Sequence, residues 1–167
     1  MSNVCLIGFM GSGKSSVARE IGRKYNKKYV ELDKIIEQEA AMAISDIFEK
    51  HGEGYFRDLE TKALEMLECE DTVISCGGGI VLRDENVALL KKNATVIWLK
   101  TEPFVIFERI KNAEDRPLLK GNMTAEYIEN MLNLRQKRYK YAADDSIVTD
   151  CMSIEHIAEY IYNRYMK

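Results

Sequence analysis

The sequence has no apolar run of membrane-spanning length, no Cys-x-x-Cys pair and only two histidines. A helix that crosses a membrane needs about 20 consecutive apolar residues, so a membrane-spanning protein is not expected. The four cysteines are scattered, which is typical of reduced thiols in a cytosol rather than of a disulfide framework. His51 and His156 lack metal-ligand spacing, and we interpret both as surface or packing residues.

An excess of positive charge is also missing. The chain carries 24 Lys and Arg residues against 27 Asp and Glu residues, which gives a net charge of −3. This balance argues against a dedicated surface for nucleic acid or anionic membranes, so a few local arginines must hold any anionic ligand. The segment before Gly8 is too short for a signal peptide and lacks a basic start. We therefore expect a cytoplasmic protein with no nucleic-acid partner and no membrane partner.

Internal repeats, linkers and low-complexity segments are absent as well. The 167 residues are about the length of one domain and are enough to bury a sizeable core. We therefore predict a single domain that spans residues 1–167. Nothing in the sequence demands a dimer, so we expect a monomer.

What the sequence does contain is the complete phosphate-binding pattern G-x-x-x-x-G-K-[ST], at residues 8–15. An apolar run at 4–7 precedes it and a helical pattern at 15–25 follows it, which is the context that a nucleotide site requires. We predict that Lys14 contacts the β- and γ-phosphates and that the Ser15 hydroxyl binds Mg²⁺. The alternative is a glycine-rich turn that contains a lysine by chance. The predicted nucleotide-binding residues of this loop are Gly11, Ser12, Gly13, Lys14, Ser15 and Ser16.

Strand patterns alternate with helical patterns along the chain. Strands are predicted at 4–7, 29–32, 72–76, 94–99 and 147–148. Helices are predicted between them, with a break at Gly52 and with four N-caps at Asp84, Thr101, Thr124 and Ser153. Such alternation predicts a mainly parallel sheet with helices on both faces and with ligands at the carboxyl ends of the strands.

Two acids near the second strand are candidates for chemistry. Asp33 could lie near the γ-phosphate and accept a proton from an attacking hydroxyl, or it could simply cap the following helix. Glu31 would point to the same side of an extended strand as Asp33 and could reach Mg²⁺ directly or through water. The alternative for Glu31 is a solvated strand end.

Four arginines are candidates for anion binding, because a guanidinium group matches carboxylate and phosphate oxygens. They are Arg57, Arg109, Arg116 and Arg135, and each could instead be a solvated surface residue. Arg116 lies in a long loop at 111–123, where a mobile arginine could meet a transferring phosphate. A further signal is the triple glycine at 77–79, where backbone can approach a ligand with no side chain in the way.

Together these residues closely resemble the shikimate kinase family, a branch of the nucleoside-monophosphate-kinase-like P-loop enzymes. The resemblance covers nearly the whole chain. Its motifs are the loop at 8–15, Asp33 with Ile36-Glu37, Gly52-Glu53 with Phe56-Arg57 and Glu60, the glycines at 77–79, Arg116-Pro117-Leu118-Leu119, and Arg135 with Tyr139 and Ala143-Asp144.

The resemblance implies a three-layer α/β/α P-loop kinase with a five-stranded parallel sheet. It also implies a small acceptor-binding helical region at about 33–60 and a lid at about 112–123. The implied enzyme transfers the γ-phosphoryl group of ATP to the 3-hydroxyl of shikimate, on the route to chorismate and the aromatic amino acids. One Mg²⁺ ion per active site is implied as the cofactor.

Residue roles follow from the same resemblance. Asp33 would orient and deprotonate the hydroxyl, and Lys14 and Arg116 would stabilise charge on the γ-phosphoryl group. Arg109 would stack on adenine. The groups that would hold the carboxylate and ring of the acceptor are Arg57, Arg135 and the backbone of Gly78 and Gly79.

Several positions depart from the family pattern. Glu31 stands where Asp is usual, Cys76 where Thr is common, and Lys137 where Pro is common. The loop near 150–153 looks short, so no adenine contact is assigned to it.

Two other functions stay open. One is a kinase of another small hydroxy acid such as gluconate, which is not expected to combine the triple glycine with Arg57 and Arg135. The other is a nucleotide-binding regulatory module without turnover, which the intact Lys14, Ser15, Asp33 and Arg116 argue against.

Overall fold

The structure is a computed structural model that describes residues 2–111 and 124–167. The predicted lid and Arg116 lie outside the described residues. In chain order the elements are β1 (Val4–Ile7), α1 (Lys14–Tyr25), β2 (Lys28–Glu31), α2 (Leu32–Ala40), α3 (Ile44–Glu65), β3 (Thr72–Ser75), a 3₁₀ turn (Ile80–Leu82), α4 (Asp84–Asn93), β4 (Thr95–Lys100), α5 (Pro103–Ile110), α6 (Ala125–Ala142), β5 (Asp145–Val148), α7 (Ile154–Ile161) and a π-helical turn (Tyr162–Met166).

The five strands form one parallel sheet in the order β2-β3-β1-β4-β5. Helices connect the strands because parallel neighbours cannot be joined by a tight turn. From β1 the chain first forms β2 and β3 on one side of β1 and then β4 and β5 on the other, so the strand order reverses at β1. The loop after β1 therefore opens into the crevice where ligands of such sheets bind. The predicted five-stranded parallel sheet is confirmed.

Alternate residues of β1 face two different cores, because successive strand side chains point to opposite faces. Cys5 and Ile7 pack in the core beneath α2, α3, α4 and α6. Val4 and Leu6 pack in the core beneath α1 and α7. All four side chains are essentially buried. The result is the predicted three-layer arrangement, with β1 in the middle of the central layer.

The cap predictions are partly confirmed. The side chains of Thr124 and Ser153 accept hydrogen bonds from N–H groups at the starts of α6 and α7. The prediction for Thr101 is wrong, because its hydroxyl lies 2.7 Å from the Thr149 hydroxyl and Glu102 is the N-cap of α5. The prediction for Asp84 is also wrong. Its carboxylate pairs with Arg138 and it lies in the first turn of α4, after an N-cap at Arg83.

Helix α3 is kinked at Gly52, which has φ 81° and ψ 175°. Glycine adopts this conformation without the steric cost that a side chain would bring. The break predicted at Gly52 is thus confirmed, although α3 continues beyond it. Residues Phe56, Arg57 and Glu60 of the second half are buried and face the sheet edge where β1 and β3 end. Within the described chain, no helix has the length and apolar character to span a membrane.

Candidate active site

A cleft of about 780 Å³ opens at the carboxyl ends of the strands. The loop after β1 and the start of α1 form one wall. The start of α2, both halves of α3 and Arg135 of α6 form the other, and the glycines after β3 lie between them. The cleft therefore brings the phosphate loop and the predicted acceptor-binding residues to one place.

The phosphate loop folds tightly against the sheet. A methyl group at Gly8, whose φ is +148°, would lie 2.7 Å from the Leu99 carbonyl oxygen. Lys14 Nζ donates hydrogen bonds to the carbonyl oxygens of Gly8 at 2.8 Å and Phe9 at 2.9 Å. Gly13 is the N-cap of α1 and has no side chain to cap it. The first N–H groups of the helix are therefore left to bind an anion.

The predicted residues of this loop do not all reach the cleft. Gly11, Gly13, Ser15 and Ser16 line it, as does Lys14. Ser12 does not line it: its side chain is buried, and its N–H donates to the Phe9 carbonyl oxygen at 3.1 Å.

A pair of hydroxyl groups joins the phosphate loop to β3. Ser15 Oγ and Ser75 Oγ are 3.1 Å apart. Ser75 is the last residue of β3 and lies opposite Leu6 in the neighbouring strand β1. Sequence reasoning missed Ser75. Its place before the glycines, at the end of a strand next to β1, is the signal that could have found it.

Asp33 lies in the first turn of α2, and Glu31 is the N-cap of that helix. The interpretation of Asp33 as an N-cap is therefore wrong. The expectation that Glu31 and Asp33 extend from one side of a strand is also wrong, because β2 ends at Glu31. Both carboxylates nevertheless line the cleft. Glu31 Oε1 also lies 3.3 Å from Arg19 Nη2, so Glu31 is more than a solvated strand end.

Arg57 is held by two carboxylates of its own helix. Its Nη1 donates to Glu60 at 2.7 Å and its Nη2 to Glu53 at 3.0 Å. Burial by itself lowers the pKa of Arg57, but the charge of Glu60 and the hydrogen bonds outweigh burial and raise it. Burial raises the pKa of Glu60, and the nearby Arg57 opposes this shift. The Arg57 guanidinium is therefore a fixed, permanently charged group.

Arg135 extends from α6 into the same region and is 6% exposed. Its Nη1 is buried and has no hydrogen-bond partner within residues 2–111 and 124–167. Leaving a buried donor without a partner costs free energy, so we expect Nη1 to donate a hydrogen bond to an acceptor atom of a bound ligand. Neither Arg57 nor Arg135 is a solvated surface arginine. Arg109 is exposed, but its Nη1 donates to the Gly11 carbonyl oxygen at 3.0 Å.

Each of the three glycines is in close contact with a different part of the site. A methyl group at Gly77 would lie 2.8 Å from Glu60 Oε1 and 3.1 Å from Asp33 Oδ1. At Gly78 it would lie 3.3 Å from Met10 N in the phosphate loop and 3.6 Å from Arg135 Nη1.

At Gly79 a methyl group would lie 2.3–2.5 Å from three atoms of the Arg57 guanidinium. A side chain at 77 or 79 would therefore collide with Glu60, Asp33 or Arg57, whereas one at 78 would crowd the backbone of the phosphate loop and make only an ordinary contact with Arg135.

The far end of the cleft includes residues to which the sequence analysis gave no role in ligand binding. Met152, Ser153 and Ile154, at the start of α7, line it together with Arg109. Ile154 Cδ1 lies 3.4 Å from the position that a methyl group at Gly13 would take. The short loop before α7, to which no adenine contact is assigned from the sequence, thus approaches the phosphate loop.

Comparison with known proteins decides the family. The family model described as shikimate kinase matches residues 10–166. A shikimate kinase from Thermodesulfovibrio yellowstonii is 41% identical over 166 residues, which cover 99% of this chain and 95% of that protein. The chain belongs to the shikimate kinase family.

Solved shikimate kinases have the same fold. The enzyme from Acinetobacter baumannii, solved in complex with shikimate, matches with a TM-score of 0.92 at 29% identity and covers 98% of this chain and 92% of that one. The enzyme from Aquifex aeolicus matches with a TM-score of 0.81 at 33% identity, covering 96% and 94% respectively. The predicted family and fold class are confirmed, and as a member of this family the chain is an ATP-dependent kinase.

Proposed function

We propose that this enzyme transfers the γ-phosphoryl group of ATP to the 3-hydroxyl of shikimate, giving ADP and shikimate 3-phosphate. One observation carries the proposal: Asp33, Arg57, Arg135 and the phosphate loop all lie beside the glycine backbone at 77–79, within 2.3–3.6 Å of the positions that methyl groups there would take. An acceptor bound there would have its carboxylate near Arg57 and Arg135 and its hydroxyl near Asp33. The phosphates of ATP would lie next to that hydroxyl. The named relatives are shikimate kinases, which supports this choice of acceptor.

The two arginines hold the acceptor carboxylate. Arg135 brings a buried guanidinium whose Nη1 is not engaged by the described protein. Arg57 is fixed by Glu60 and Glu53, so little side-chain freedom is lost when a ligand binds to it. Backbone N–H groups of Gly78 and Gly79 complete the acceptor site. Charge-assisted hydrogen bonds of this kind are among the strongest that proteins make.

Asp33 acts as the general base. The 3-hydroxyl oxygen attacks the γ-phosphorus while the bond from that phosphorus to the β–γ bridging oxygen breaks. The hydroxyl proton passes to the Asp33 carboxylate, and ADP leaves with the bridging electrons. Lys14 and the N-terminus of α1 stabilise negative charge on the phosphates. We assign the same task to Arg116 of the predicted lid.

The oxygen donors at the phosphate loop fit Mg²⁺. No group of three or more His, Cys, Asp or Glu side chains in the described parts of the chain could hold a metal. This suits an ion that keeps several waters and binds through phosphates and one or two protein oxygens. Ser15 would hold the ion, Ser75 would orient the Ser15 hydroxyl, and Glu31 would contact its water. Bound Mg²⁺ would neutralise charge on the β- and γ-phosphates.

The nucleotide base is assigned to the far end of the cleft. Arg109 is tied to the phosphate loop through Gly11 and can cover one face of adenine. We further propose one domain over residues 1–167 that works as a monomer. The free cysteines support a reducing compartment such as the cytoplasm.

The test is a coupled assay of ADP release with shikimate, gluconate and nucleoside monophosphates as separate acceptors. We expect turnover with shikimate and not with the other two acceptors. Asp33→Asn should lower kcat with shikimate at least about a hundredfold, with little change in ATP affinity. Preference for gluconate would replace the proposed acceptor. Near-normal turnover of Asp33→Asn would remove Asp33 as the base, and absence of turnover with every acceptor would favour a regulatory module.

A further inference from the structure

Tyr139 lies behind the glycine backbone and plays no part in the site described so far. It is fully buried in α6, and its hydroxyl donates a hydrogen bond of 2.6 Å to the Gly78 carbonyl oxygen. Its ring lies 5.6 Å from the ring of Trp98 on β4. The hydroxyl is the only polar group of an otherwise packed side chain. It donates to the Gly78 carbonyl oxygen and also lies beside the Arg135 guanidinium.

This hydrogen bond fixes more than a carbonyl group. The Gly78 carbonyl and the Gly79 N–H belong to one peptide unit, which is planar and trans. The N–H of a trans peptide points opposite to its carbonyl. Holding the Gly78 oxygen toward Tyr139 therefore turns the Gly79 N–H away from α6 and toward the opposite side of the backbone. Two glycines in succession have no side chains to restrict rotation of this plane, so an external anchor is needed.

Helix α6 also carries Arg135, which lies four residues before Tyr139. Side chains four residues apart lie on the same face of a helix. Arg135 Nη1 comes within 3.6 Å of the position that a methyl group at Gly78 would take. One rigid helix thus sets both a guanidinium group and a peptide N–H beside the same ligand position.

We propose that Tyr139 is a positioning residue for acceptor binding, whose hydroxyl aims the Gly79 N–H at the acceptor carboxylate. The inference rests on the proposed function, in which shikimate lies against Gly79. It adds a task for a side chain that does not itself touch the acceptor. Burial raises the pKa of Tyr139 to about 12, so the hydroxyl keeps its proton and its role as donor at any working pH.

The test compares Tyr139→Phe with Tyr141→Phe. Tyr141 lies two residues further along α6 and is 60% exposed, so the control removes a hydroxyl from the same helix without touching the glycines. Binding is measured by calorimetry with shikimate and with its methyl ester, in which the carboxylate charge is absent. Tyr139→Phe should weaken shikimate binding about tenfold, the effect of one well-placed hydrogen bond, and Tyr141→Phe should leave it unchanged.

The methyl ester separates positioning from packing. If Tyr139 only fills space, both acceptors should weaken equally in Tyr139→Phe. If it aims the N–H at the carboxylate, the preference for shikimate over the ester should shrink in Tyr139→Phe and persist in Tyr141→Phe. ADP binding should be the same in all three proteins.

A second measurement uses the wild-type protein alone. The chain has ten glycines, so a sample labelled with [¹⁵N]glycine gives a simple amide spectrum in which Gly79 can be identified. Addition of shikimate should move the Gly79 amide proton downfield, whereas the methyl ester should move it less. This measurement stands even if Tyr139→Phe folds poorly.

The outcomes distinguish this inference from the proposed function. Wild-type protein that binds no shikimate overturns the proposed function and this inference with it. Normal shikimate binding, with an unchanged preference in Tyr139→Phe or an unmoved Gly79 amide, overturns the role of Tyr139 alone.

Discussion

Gly79 and Arg57 touch so closely that a single added methyl group at Gly79 would lie 2.3 Å from Arg57 Nη1. The guanidinium cannot retreat easily, because Glu60 and Glu53 hold both of its terminal nitrogens. The geometry of the acceptor site therefore depends on the absence of a side chain at this position.

Gly79→Ala should weaken shikimate binding at least about tenfold, because overpacking displaces the Arg57 guanidinium. Gly54→Ala is the matched control. Gly54 lies in α3, the helix that carries Arg57, and a methyl group there would meet nothing within 4 Å. The control should keep its affinity and could gain up to about 1 kcal/mol of stability, since alanine favours a helix more than glycine. Equal affinities in titrations of the two variants would show that the Gly79 contact does not shape the site.

Removing either arginine should weaken shikimate binding by about 2–4 kcal/mol, because a desolvated charge loses its partner. Their effects on stability should differ. Arg57→Ala leaves the fully buried Glu60 without its cation, so its Tm should fall more than that of Arg135→Ala. Calorimetric titration and thermal unfolding give the two quantities. Unchanged affinity in both variants would remove the main support for the acceptor site.

Glu31→Gln should raise the Mg²⁺ requirement by about ten- to a hundredfold, the range seen when outer partners of a metal site are lost. Glu20→Gln on α1 is the control, since Glu20 pairs with Arg23 at the surface. Rates against free Mg²⁺ and direct Mn²⁺ binding in the presence of ADP would both report the effect. A wild-type metal dependence in Glu31→Gln would leave Ser15 and the phosphates to hold the ion.

A pH-dependent prediction concerns Asp145 at the start of β5. The hydrogen bond from Tyr165 holds the pKa of Asp145 below its usual value. A carboxyl whose pKa is lowered by folding adds stability above its unfolded pKa, and this stability is lost as the pH falls through the folded pKa. Asp145→Asn should therefore be slightly less stable than wild type at neutral pH, by less than about 1 kcal/mol, because the carboxylate is partly exposed and solvent screens its interactions. The difference should begin to shrink below the unfolded pKa of about 3.9 and should vanish only when the pH has fallen through the lower folded pKa, where Asp145 is protonated in both states.

Denaturant unfolding at a series of pH values checks this prediction. Tyr165→Phe removes the donor of the same hydrogen bond. The variant that combines Asp145→Asn with Tyr165→Phe should therefore have a free energy of unfolding only slightly below that of either single variant. Additive losses, or a stability gap that persists in acid, would show that the two residues act separately.

Local patterns in the sequence predicted most of the fold. The β-α alternation and the loop at 8–15 are set by nearby residues, as are the caps at Thr124 and Ser153. The start of α2 was misplaced because Leu32 and Asp33 suit either a strand end or a helix start. Only the surrounding fold decides between these alternatives.

The contacts that define the site could not be derived in this way. Ser15 and Ser75 are 60 residues apart in the chain, and Tyr139 and Gly78 are 61 apart. The glycines at 77–79 were expected to admit a ligand. The structure shows in addition that Gly77 and Gly79 make room for side chains of the protein itself and that Gly78 makes room for the backbone of the phosphate loop, and no spacing rule contains that information.

The position of Trp98 gives this enzyme a built-in optical reporter. It is the only tryptophan in the chain, it is 6% exposed, and its ring lies 5.6 Å from that of Tyr139. All tryptophan emission therefore comes from one point behind the acceptor site. Because Trp98 contacts Tyr139, we expect acceptor binding to change that emission in the unlabelled protein.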